Sequence, residues 1–168
     1  MKVDDIGLEN FSTMDMVELY SKIIKTLRGR GVLRTKNFIG EVGEHIVIEY
    51  YNNTPSLDNL LATEIGTKGI DAVSRKGKRY TIKTVSGTAT SVFYGLEPPG
   101  SDRKDDILFE YVVICLFDGD YVLKGIYELT WEQFQTHKSW HTTMQGWKLQ
   151  INRRLLEDAK VIYERRTA

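Results

Sequence analysis

The sequence predicts a mixed α/β fold, a short mixed β-sheet flanked by helices, and three observations carry that expectation. Apolar residues in the first third recur at helical spacing. The period then drops to that of a strand after Gly69. Residues 109–117 are almost wholly apolar, as a central strand covered on both faces must be. Helices gathered on a sheet are the packing solution this succession allows.

The elements follow in order. A first helix starts at Ser12, where Asp15 three residues on completes a capping box. Met16, Leu19, Ile23, Ile24 and Leu27 continue it at helical spacing, and Gly29 and Gly31 end it. A second helix runs from an Asn37 cap to about residue 51, where Asn52, Asn53 and Pro55 stop it. Its Gly40 and Gly43 permit a close backbone approach. Residues 69–75 and 79–84 read as strands joined tightly through Lys76, Gly77 and Lys78, which makes a β-hairpin. Residues 85–102, rich in Ser, Thr and Gly and containing Pro98, Pro99 and Gly100, read as an exposed loop. After the central strand, Asp118, Gly119 and Asp120 turn the chain into a further strand over 121–127. Thr130 and Gln133 form a second capping box, opening a short helix through Trp131 and Phe134. Asn152 caps a last helix carrying Leu155, Leu156 and Ala159.

A length of 168 residues suits a single domain over 1–168. Its 23 basic and 23 acidic residues cancel, so a nucleic-acid surface has to be a local patch. That balance argues against a protein that only coats DNA, and less against an enzyme that keeps acids in its site. Cys115 is the only cysteine and sits in the apolar run, so it reads as a buried small hydrophobe, with no intrachain disulfide and no Cys-based zinc site. The start of the chain is polar and acidic, unlike a secretion signal. No apolar stretch approaches the roughly 20 residues of a membrane span. A cytoplasmic protein with no membrane partner is expected.

The hairpin carries the first candidate chemistry. Alternation sends Thr81 and Lys83 one way and Tyr80, Ile82 and Thr84 the other. A register that brings Asp71 to the Lys83 face makes an acid and a lysine meet. Lys83 interrupts a half-buried run, and a buried lysine needs a partner or a task. On the second helix the apolar stripe centres on Gly43 and Tyr50, which puts Glu44 on its margin and turns Glu41 toward solvent. Glu44 can thus reach the edge of a sheet beneath the helix.

Gly40-Glu41-Val42-Gly43-Glu44 on a helix, Gly69-Ile70-Asp71, and Thr81-Ile82-Lys83 on the adjoining strand resemble the PD-(D/E)XK nuclease superfamily, which includes restriction endonucleases and Holliday-junction resolvases. The segment 31–37 ahead of the helix is also similar to restriction-enzyme-like members. The resemblance spans about residues 31–84 by motif. It implies a restriction-endonuclease-like core that hydrolyses DNA phosphodiesters with Mg2+, or with Mn2+ as a substitute. By position, Asp71 is the central metal ligand, the Ile82 backbone carbonyl another, and Glu44 the helix acid that supplements them. Lys83 orients or activates the attacking water and stabilises the phosphorane. Two positions depart from the pattern. Ile70 replaces the proline, and Thr81 replaces the second acid with a neutral, weaker ligand.

Phosphate contacts are expected from Arg34 and Lys36, which lead into the helix of Glu44, and from Thr84, Ser86 and Thr88, which follow Lys83. Cutting both strands of a duplex suits a homodimer with one site per strand. The rival readings are a degenerate nuclease fold that binds DNA or a protein partner without cleavage, and an interaction protein whose motif match is chance. The same residues also have plain structural readings: Asp71 as a strand-entry turn residue, Lys83 as an edge-strand cation, Glu44 as a helix-surface acid. His137 and His141 have helical ligand spacing, but Ser139, Thr142, Thr143 and Gly146 do not favour a helix there.

Overall fold

The computed structural model describes residues 3–165, and the chain divides between Val42 and Gly43 into two compact units. In the first, two short 3-10 turns, Val3–Asp5 and Leu8–Asn10, precede helix α1, Thr13–Gly29. The predicted capping box closes it: Asp15 N–H donates to Ser12 Oγ at 3.2 Å and Ser12 N–H to Asp15 Oδ2 at 3.0 Å. No residue of α1 is buried. Helix α2, Phe38–Asn53, begins in this unit, with Asn37 Oδ1 accepting from Gly40 N–H at 3.3 Å as its cap. Glu41 departs from the expectation of a solvent-facing acid. It is buried and accepts from the N–H groups of Arg34 and Thr35, each at 2.9 Å. The helical wheel gives the direction of a side chain but not the loop that folds over it.

The second unit is built on a six-stranded mixed sheet. Its strands are β1 Leu60–Ala62, β2 Ala72–Ser74, β3 Arg79–Val85, β4 Tyr111–Phe117, β5 Leu123–Thr130 and, after a separate pair β6 Lys138–His141 and β7 Gly146–Leu149, β8 Lys160–Glu164. The order across the sheet is β1-β2-β3-β4-β5-β8. β3 and β4 run parallel and every other neighbouring pair antiparallel. Helix α3, Trp131–His137, carries the second capping box, and α4, Arg153–Asp158, has Asn152 as its cap. Ala159 lies just past α4 rather than inside it.

β4 is covered on both faces, as its composition requires. On one face Val47 and Tyr51 of α2 pack with Tyr80, Ile82, Val113, Cys115 and Ile126. Tyr51 anchors the helix further by donating its hydroxyl to Glu128 of β5 at 2.7 Å. On the other face Val85, Val112 and Ile114 pack with Phe134 of α3, Leu149 of β7 and Leu155 of α4. Gly43 is where α2 comes closest to β3, because a Cβ there would overlap the Thr84 side chain.

The structure revises three local expectations. β5 starts at Leu123 and continues through Thr130, so it is longer than 121–127 and displaced toward α3. The segment after β3 is only partly exposed: Thr90, Val92 and Phe93 are buried. Backbone bonds from Thr90 N–H to Leu149 O at 3.0 Å and from Phe93 N–H to Trp147 O at 2.6 Å tie it to β7. β1, the β6–β7 pair and β8 were not anticipated. No helix among the described residues is long and apolar enough to cross a membrane.

Candidate active site

β3 positions the central residues. Ala72 of β2 belongs to the core under α2 with Tyr80 and Ile82, so its neighbour Asp71 comes to the opposite side, with Thr81 and Lys83. A hydrogen bond of 3.2 Å from Thr81 Oγ1 to Asp71 Oδ2 fixes that placement. The same carboxylate oxygen accepts from Ile82 N–H at 2.6 Å. Within a strand the N–H and C=O of one residue point to the same side, so the Ile82 carbonyl also faces the β2 edge, beyond the point where β2 begins. The other carboxylate oxygen, Asp71 Oδ1, takes part in neither of these bonds.

Lys83 lies on the same face as Asp71, deeper in the structure. Its Nζ is 3.4 Å from the carbonyl oxygen of Val92 and 4.7 Å from the centre of the Phe93 ring. Burial pulls its ammonium below the usual lysine value, and the nearby carboxylates of Asp71 and then Glu44 act in the opposite direction without cancelling that effect. Glu44 is half-buried on α2, on the other side of the sheet, and its charge bears on Lys83 from there. The two acids and the lysine picked out by spacing are therefore electrostatic neighbours.

The other expected residues divide. Thr81 is only 2% exposed, and its hydroxyl is turned onto Asp71. Thr84 sits on the α2 face beside Gly43, away from Lys83. Ser86 and Thr88 are exposed at the end of β3, as are Arg34 and Lys36 in the first unit. His137 and His141 do not share a helix: His137 ends α3 with Nε2 2.9 Å from Asp158 Oδ2, and His141 ends β6 with Nδ1 accepting from Met144 N–H at 3.3 Å.

Sequence reasoning missed the wall of the site. A cavity of about 600 Å3 opens beside Lys83, bounded by Lys68, Thr81, Phe93, Tyr94 and Phe109 among others. Tyr94 stands at its lip, 60% exposed. The available signal was Val92-Phe93-Tyr94, an apolar triplet inside an otherwise polar loop.

The donor set suits a hard cation. Among the described residues no group of three or more His, Cys, Asp or Glu is placed to hold a metal ion. Magnesium, however, usually keeps several waters and takes one or two carboxylates together with substrate phosphate oxygens. Asp71 and the Ile82 carbonyl are oxygen donors of that kind on one side of the sheet, and Glu44 lies on the other. No protein-family model and no curated protein sequence matches the chain.

Proposed function

We propose that the chain is a metal-dependent DNA phosphodiesterase of the PD-(D/E)XK type, with Asp71, Glu44 and Lys83 as its catalytic residues. The observation that carries this reading is that Asp71, bonded to Thr81 Oγ1 and Ile82 N–H, shares one face of the hairpin with the half-buried Lys83. The resemblance singled out these residues, and the charges of both acids bear on Lys83.

Each residue has a physical task. Ile82 N–H and Thr81 Oγ1 hold one oxygen of Asp71, so the carboxylate keeps a single orientation toward a ligand. The metal, when bound at Asp71, Glu44 and the Ile82 carbonyl, supplies positive charge that acidifies water and offsets charge on the phosphate. Burial lowers the Lys83 pKa, so at a given pH more of it is free amine, able to accept a proton, than for an ordinary lysine. It takes a proton from the attacking water, and the ammonium so formed stabilises the anionic phosphorane. Tyr94 at the lip of the cavity offers an exposed ring against which a base next to the scissile phosphate can stack.

One observation favours a second reading, a nuclease fold that binds DNA or a protein partner without cutting. Thr81, where the family pattern has an acid, is buried and spends its hydroxyl on Asp71. Plasmid nicking with Mg2+ and with Mn2+ separates the two. The enzyme reading expects cleavage by the wild type, loss of it in Asp71→Asn and equal loss in Glu44→Gln. It also expects Thr81→Glu to melt lower without metal and to regain stability when Mg2+ is added, since a second buried acid beside Asp71 needs a cation. A wild type that binds DNA but never cuts it supports the second reading.

A further inference from the structure

We propose that α1 is a self-association surface, which docks antiparallel on the α1 helix of a second copy of this chain. The helix has 17 residues and buries none of them. Its apolar stripe is partly open: Tyr20 is 58% exposed and Ile23 45%, Met16 is exposed, and Leu19, Ile24 and Leu27 are half-buried, while the exposed Met14 and Val17 lie to its side.

The stripe identifies the partner. Met16, Leu19, Tyr20, Ile23, Ile24 and Leu27 fall symmetrically about the midpoint between Ser21 and Lys22. Met16 mirrors Leu27, Leu19 mirrors Ile24, and Tyr20 mirrors Ile23. Such a row reads the same from either end. An isologous contact, in which one patch meets itself across a two-fold axis, requires that property of an antiparallel helix pair. An unrelated partner places no such demand on the pattern.

The charges invert under the same mirror. Asp15 and Glu18 occupy the N-terminal half of α1, and their mirror positions hold Arg28 and Lys25, with Lys22 and Arg30 adding to the basic end. Paired helix axes lie roughly 8–10 Å apart, about one Debye length at physiological salt. Antiparallel docking sets each acidic half along the partner's basic half and opposes the two helix dipoles, whereas parallel docking aligns like with like. Glu18 is already bonded to Lys22 of its own helix at 2.9 Å. The charges therefore set direction, and the apolar row supplies the attraction. At a rise of 1.5 Å per residue the apolar row from Met16 to Leu27 is about 16 Å long, so the interface is at the small end of specific contacts.

Sedimentation of the full chain from sub-micromolar to hundreds of micromolar tests this. The expected result is a reversible monomer–dimer equilibrium in the wild type. Ile23→Asp, at an exposed position, should stay folded by circular dichroism and remain monomeric where the wild type is dimeric. Direction is read by cysteine cross-linking under oxidation. Met16→Cys mixed with Leu27→Cys should form a mixed disulfide, while Met16→Cys alone should not, because the mirror puts its two copies about 16 Å apart along the pair. A wild type that is monomeric throughout, an Ile23→Asp variant that still dimerises, or a dominant Met16→Cys homodimer each overturns the proposal.

Discussion

β3 carries two cations four residues apart, and the structure treats them in opposite ways. Arg79 is fully engaged: Nη2 is 2.7 Å from Glu110 Oε1, Nε is 3.2 Å from Oε2, and its backbone N–H reaches the same carboxylate at 2.6 Å. The Glu110 hydrogen bond raises the Arg79 pKa, and Arg79 holds the Glu110 carboxyl below its usual value. Lys83 is half-buried and shifted downward, and among the described residues its hydrogen bond is a long one to a backbone carbonyl. The first pair fastens β3 to the turn before β4. The second group is kept short of a direct partner while two acids stay near. In the proposed function the difference separates a charge that completes the fold from one that serves a ligand, and a perturbed pKa within a cleft is in keeping with the latter.

The largest expected effect comes from making Lys83 resemble Arg79. Lys83→Arg keeps the charge, but guanidinium stays protonated and its planar fork does not fit where the amine sits. Cleavage should fall about 10²–10⁴-fold, the usual contribution of a proton-transferring group, with DNA binding retained. An active Lys83→Arg would mean that the lysine supplies charge alone. Next is the cavity rim. Tyr94→Ala should weaken binding of single-stranded or frayed DNA about tenfold, as loss of one base-stacking ring does, and should affect intact duplex less. Equal affinity for all substrates would remove the rings from the contact surface.

Two smaller effects concern stability. Arg79→Ala leaves Glu110 without its partner in a partly exposed setting, so the cost should be about 1 kcal/mol. The Glu110 contribution is present above the unfolded carboxyl pKa and is lost as pH falls through the lowered folded value, so the variant should converge on wild type in acid. Lys83→Met should act in reverse and raise the melting temperature by a few degrees at neutral pH. The unfolded chain binds the Lys83 proton more tightly than the folded one, so the burial cost is present below the folded pKa and fades as pH climbs toward 10.5. The advantage of Lys83→Met should shrink over the same range. A thermal melt series across pH reads both variants, and a Lys83→Met protein that melts lower at neutral pH contradicts the cost assigned to Lys83.

What could be read from the sequence follows from which interactions are local. Ser12 with Asp15, Thr130 with Gln133 and the Asn152 cap are decided within four residues, and all three helix starts stand where these motifs put them. The hairpin turn and the apolar β4 are equally local. Asp71, Lys83 and Glu44 were chosen by spacing, and strand alternation was enough to bring Asp71 to Lys83's face. β1, β6, β7 and β8 have only three to five residues each, too few for an alternating pattern to stand out, and they exist through distant pairing. Trp140 meets Trp147 edge to face only because β6 and β7 pair. The roof over Lys83 has the same origin, since Phe93 is pinned by Trp147, more than fifty positions along the chain. Glu41 was misjudged because a loop, not a period, covers it.

A functional Lys83 and a structural Arg79 give opposite outcomes in one paired measurement. Lys83→Ala and Arg79→Ala are assayed side by side for Mg2+-dependent plasmid nicking and for thermal melting. Lys83→Ala should lose cleavage while melting at or above the wild-type temperature, and Arg79→Ala should still cut while melting lower. Undiminished cutting by Lys83→Ala, or a loss of cutting in both variants that follows their loss of stability, would contradict these roles.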